Sequence, residues 1–162
     1  MKMMFVVKSA VVAGLYAALV TLLAPISFYA FQIRIADALL LLPFLNFFGL
    51  PTVFGLTVGC AIANILSPFG LIDIVFGSLA NLLASLVAWA MGRKSKSIFA
   101  LILASVVEVL IVTFVIGYFV LHLVGGLDLV VAFVGVLVGS IVSICVLGST
   151  LVLFLMKGLK IR

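Results

Sequence analysis

The chain alternates long apolar runs with short polar interruptions, and almost nothing in it follows the half-polar rhythm of a water-facing helix. Residues 9–26 form a first run, closed by Pro25 and the polar "FQIRIAD". A second, 36–50, holds Pro43 inside it, and "FFGLP" turns into a third at 52–66. After "SPFG" a fourth run covers 71–92, and "RKSKS" ends it. Runs 98–123 and 129–156 follow, separated by "GGLD", and the tail reads "KGLKIR". Each run has the length and apolarity of a membrane-crossing helix, although the second and third are a little short. The pattern predicts an all-α integral membrane protein of six transmembrane helices within one domain, 1–162. The first run is read as an uncleaved span, since no convincing small-x-small cleavage site follows it.

Composition changes the picture only by removing doubt about the solvent. Hydrophobic residues make up 68% of the 162 and charged residues 8%, unlike any water-soluble globule. Charge then sets direction. With six spans, Lys2, Lys8, Arg93, Lys94, Lys96, Lys157, Lys160 and Arg162 fall on one side and only Arg34 on the other. Basic loops stay cytoplasmic, so both termini are expected inside. With 36–66 read as one kinked helix, "RKSK" would sit opposite the N-terminal lysines. The net charge of +5 is accounted for by orientation and anionic lipid, and no nucleic acid is expected.

The acids gather elsewhere. Asp37, Asp73 and Asp128 fall at the outer ends of spans with His122 near them, and Glu108 lies inside the fifth span. Asp73, Gly77 and Asn81 recur every four residues and share one helical face. Thr57, Cys60, Ala61 and Asn64 make a similar stripe on the third span, and the "SPFG" turn brings Asn64 and Asp73 together. Such groups are costly in lipid unless something answers them. Either the two asparagines bond neighbouring helices and Asp73 caps the fourth helix, or the group lines an outward-facing polar pocket. "FQIRIADAL" feeds the same region, with Gln32 and Arg34 on one side of an extended segment and Asp37 at a helix start. Glu108 is by default functional, through a ligand or a proton, with a structural tie as the rival. Cys60 and Cys145 read as small buried hydrophobes.

Two stripes of small residues allow close helix contact. Gly135, Gly139 and Ser143 suggest internal packing. Ala10, Gly14 and Ala18, beside a second row of Ala13 and Ala17, suggest a partner subunit. No P-loop, Ser-His-Asp set, His-Glu-x-x-His or Cys pair occurs, so no enzyme activity, metal or cofactor is expected.

Residues 24–92 carry "APIS", "QIRIADALLLLP" and "GLTVGCAIANILSPFGLIDIVFGSLANLLA", with the basic loop directly after. This stretch resembles the substrate-binding S components of energy-coupling-factor (ECF) transporters, in particular the QueT-type queuosine-precursor family. It departs by Asp37 where the family has Glu. The resemblance implies a six-helix S-component bundle in the bacterial cytoplasmic membrane, with a solute pocket on its outer half. It further implies a partner T component, contacted through Ala10, Gly14 and Ala18, and two cytoplasmic ATPases. The implied cargo is a 7-deazaguanine such as queuine or its aminomethyl precursor. Gln32, Arg34, Asp37, Asn64, Asp73 and Asn81 are the candidates to hold it, and Glu108, beyond the stretch of resemblance, joins them only as an intramembrane acid. An S component for another vitamin, and a self-sufficient proton-coupled carrier using Glu108, are the competing expectations.

Overall fold

In the computed structural model, which describes residues 2–27, 33–158 and 160, nearly all of the backbone is helical and no strand occurs among those residues. The helices are α1 (Lys2–Leu22), a short α2 (Ala24–Ser27), a 3₁₀ segment (Ile35–Phe44), α3 (Gly49–Ala63), α4 (Leu71–Lys94) and α5 (Ile98–Phe114). The last are α6 (Leu129–Ser140) and α7 (Ser149–Lys157). A π-helical stretch, Val115–Val124, continues α5, and another, Ile141–Gly148, joins α6 to α7. Five helical stretches are long and apolar enough to cross a membrane. The chain is thus a multi-pass membrane protein. Large apolar side chains such as Phe99, Val130 and Phe54 lie on the outside, and Leu40, Leu56 and Leu121 are buried. Apolar residues inside and outside alike mean that lipid, not water, is the solvent.

The second run departs most from expectation. The run 36–50 becomes a ten-residue 3₁₀ helix ending at Phe44, with every residue from Ala36 to Phe44 buried. At ~2.0 Å per residue it is roughly 20 Å long, short of the ~30 Å apolar core. Its unbroken apolar circumference suits a rod enclosed by other helices. Pro43 has no N–H to give to an intrahelical bond. The rod still works as a descending segment. Its start lies beside α1 at Asp37, where Tyr16 donates to the carboxylate. Its end lies at Phe44, whose carbonyl takes a hydrogen bond from Lys96. Lys8 donates to Phe47 O at 2.6 Å, which brings the start of α1 to the same end.

The other packing keeps this alternation. α1 and α3 run side by side in the same direction, with Ser9 Oγ on Pro51 O at 2.8 Å. A Cβ on Gly55 would stand 2.6 Å from Ser9 O, and one on Gly59 2.7 Å from Ala13 O. This Gly-x-x-x-Gly face, unremarked in the sequence reading, is what lets the two backbones touch. α4 then returns, and a Cβ on Gly92 would collide with the Phe44 backbone. Ser97 caps α5 and Asp128 caps α6, each accepting from first-turn N–H groups. Glycines of positive φ, Gly70 and Gly126, make the two tight turns at the opposite end.

Candidate solute site

Four elements converge on one buried polar cluster. From α1 comes Tyr16, from the 33–37 segment Arg34 and Asp37, from α3 and its 3₁₀ end Cys60, Asn64 and Ser67, and from α4 Asp73. Tyr16 Oη donates to Asp37 Oδ1 at 2.6 Å. Arg34 Nη1 lies 3.8 Å from Cys60 Sγ and Nη2 3.9 Å from Asp73 Oδ2. Asn64 Nδ2 donates to Asp73 O at 2.8 Å and approaches Cys60 Sγ at 3.5 Å. Ser67 Oγ donates to Asp73 Oδ2 at 2.5 Å and accepts from Phe69 N, which pins the "SPFG" turn over the carboxylate.

The cluster is dry. Arg34 is 4% exposed, Asp37 5%, and Asn64 and Asp73 0%. Burial works against the Arg34 charge, but the Asp37 and Asp73 carboxylates beside it act the other way, and its pKa is raised. Several acceptors nonetheless have no hydrogen bond among the described residues: Asn64 Oδ1, Asp73 Oδ1 and both Glu108 oxygens. Glu108, fully buried on α5, lies within electrostatic reach of Asp37 and Cys145. Orphaned acceptors in a low dielectric normally cost ~1–3 kcal/mol each. A solute rich in N–H donors would satisfy them.

The helical face predicted on α4 exists, with Asp73, Gly77 and Asn81 all buried. Gly77 is empty for a reason: a Cβ there would collide with Asn64 Nδ2 and sit 3.3 Å from Asp73 Oδ1. The alternative that Asp73 caps α4 fails, because its carboxylate takes Ser67 and the helix has no side-chain cap. Arg34 is likewise buried and not spread into water. Asn81 is different: two turns below Asp73, its Nδ2 reaches Leu56 O at 3.4 Å and so ties α4 to α3. His122 Nδ1 bonds to Leu127 O at 2.8 Å within its own turn. Gln32 lies outside the described residues. Sequence reasoning missed Tyr16 and Ser67, and it took Cys60 for a plain hydrophobe. A tyrosine hydroxyl inside a span needs a partner, and that was the available signal for Tyr16.

The two small-residue rows of α1 part company. Ala13 and Tyr16 are buried against Gly59, whereas Ala10, Gly14 and Ala18 are exposed. A Cβ on Gly14 would meet nothing within 4 Å. Gly135, Gly139 and Ser143 of the last span are buried, as internal packing requires.

The family model of the QueT transporter matches residues 6–157. Comparison with curated proteins and with solved structures returned no match. A match over nearly the whole chain places it in that family.

Proposed function

From membership of the QueT transporter family, we propose that the chain is the S component of an ECF-type importer and captures a queuosine precursor for ATP-driven uptake. The observation that carries this reading is the set of orphaned acceptors on Asn64, Asp73 and Glu108. A 7-deazaguanine offers ring N–H and exocyclic amine donors along one edge, which suits them. Asp37 and Asp73 outnumber Arg34, so an aminomethyl cation would be better matched than a neutral base. Arg34 and Asp37, with Gln32 beside them in sequence, form the covering side. The exposed row of Ala10, Gly14 and Ala18 is then the surface for the T component, with two ATPases beyond it. The basic end faces the bacterial cytoplasm, and the cluster lies toward the outer side.

Calorimetry of the purified protein against queuine, its aminomethyl precursor, guanine and common vitamins tests the cargo. Asp73→Asn keeps size and removes charge, and it should weaken an aminomethyl ligand by roughly ten- to a hundredfold. Tight binding of a vitamin with none of a deazaguanine would leave the transporter class and replace the cargo. A second reading is supported by Glu108, an intramembrane carboxyl without a hydrogen-bond partner among the described residues: a self-sufficient proton-coupled carrier. Uptake in cells lacking every ECF ATPase would favour it.

A further inference from the structure

The bundle end opposite the polar cluster gathers Lys8, Arg93, Lys94 and Lys96, and no acid is there to neutralise them. The four acids of the chain are accounted for elsewhere. Asp37 and Asp73 belong to the cluster, Glu108 is buried within α5, and Asp128 caps α6 at the far end. Among the described residues, neither Lys8, Arg93 nor Lys94 has a carboxylate within salt-bridge distance. Among the described residues nothing supplies a counter-charge.

This end also has a built recess. A cavity of about 380 Å³ is lined by Lys8, Asn46, Phe47, Trp89 and Arg93, among others. A second, of about 340 Å³, is lined by Trp89, Ala90, Arg93 and Lys94, so Trp89 and Arg93 form the wall between the two. The Arg93 guanidinium lies over the Trp89 ring, 5.0 Å from its centroid. Among the described residues no hydrogen bond occupies its N–H groups, and a guanidinium edge fits phosphate oxygens two at a time. Lys8 Nζ is held by Phe47 O and its ring, and an ammonium has further protons to donate. The recess sits where apolar α1 and α4 meet their flanking charges, the composition of a membrane–water boundary, and Trp is enriched at such boundaries. Exposed Phe47 lines it together with Phe48, Leu50 and Pro51, and these give it surface suited to acyl chains.

We propose that the Lys8–Trp89–Arg93 recess seats the phosphate head group of an anionic phospholipid. A free anion would need only the charges. A lipid also uses the apolar rim, and on that ground the occupant is assigned as lipid. The site is independent of the cargo pocket.

The test is native mass spectrometry of the full chain released from micelles doped with phosphatidylglycerol or phosphatidylcholine. Phosphatidylglycerol should be retained at about one per chain, and phosphatidylcholine should not. A basic residue close to the bound anionic head group contributes roughly a fivefold preference, which falls off with distance, so the doubly substituted Arg93→Gln, Lys94→Gln protein should lose roughly 25-fold. Lys157→Gln removes a charge at the same end outside the recess and should lose less than twofold. Both substituted residues are exposed, and unchanged thermal unfolding would show that folding is intact. Equal retention of the two lipids, or an equal loss in Lys157→Gln, overturns the proposal. Displacement of the lipid by inorganic phosphate alone at low millimolar concentration would make it a free-anion site and also overturn the assignment. A loss confined to Arg93 and Lys94, with lipid selectivity intact in the parent, supports it.

Discussion

Gly77→Ala tests whether the α4 face is shaped around Asn64. On an ordinary helix interior the change should stabilise by ~1 kcal/mol, because alanine is the better helix former. Here the added methyl meets the Asn64 amide, with Asp73 Oδ1 at 3.3 Å and Cys60 Sγ at 3.4 Å behind it. Overpacking a closed site costs ~1–3 kcal/mol. Pushing Asn64 aside also breaks its 2.8 Å bond to Asp73 O and leaves a buried amide unmet, for a further ~1–3 kcal/mol. The balance is a loss of about 3 kcal/mol, opposite in sign to the propensity effect. Denaturant unfolding in detergent would read it, together with affinity for whichever ligand calorimetry identifies. The sharper measurement is the double-mutant cycle. In an Asn64→Ala background the amide is gone and the methyl has room, so most of the penalty should vanish, a coupling of ~1–3 kcal/mol. If Gly77→Ala is as stable as the parent, or costs the same in both backgrounds, Gly77 is not making space for Asn64.

Other substitutions probe other links. Tyr16→Phe deletes one donor to the buried Asp37 carboxylate, and it should cost roughly 1.5–3 kcal/mol of stability or ligand affinity, read by the same assays. Gly14→Leu enlarges a position with open space around it, so unfolding of the isolated chain should be unchanged while pull-down of a T component and uptake fail. Uptake at the parent rate would remove Gly14 from the partner surface. Cysteines at Ser95 and at exposed Pro68, in a background with Cys60 and Cys145 replaced by alanine, should label from opposite faces of intact cells. Labelling of both from one face would refute the alternating path of the six segments.

The sequence by itself determined the solvent and the number of segments, because lipid enforces helix wherever an apolar run is long enough. It also announced Asn64 and Asp73, since polar side chains are rare in such runs and the "SPFG" turn leaves them only one neighbourhood. Which small residues face inward could not be read from spacing. Ala13 and Gly14 are adjacent in the chain and equally small, yet one lies on Gly59 and the other on open space. That choice depends on where α3 lies, and the position of α3 follows from Gly55 and Gly59 allowing its backbone against α1. The 3₁₀ form of Ile35–Phe44 was likewise decided by enclosure, since a rod apolar on all sides carries no periodicity to reveal its pitch. Tyr16 joined the site for the same reason. Nothing local marks its target, and only the descent of the 3₁₀ segment beside α1 brings Asp37 within 2.6 Å of its hydroxyl.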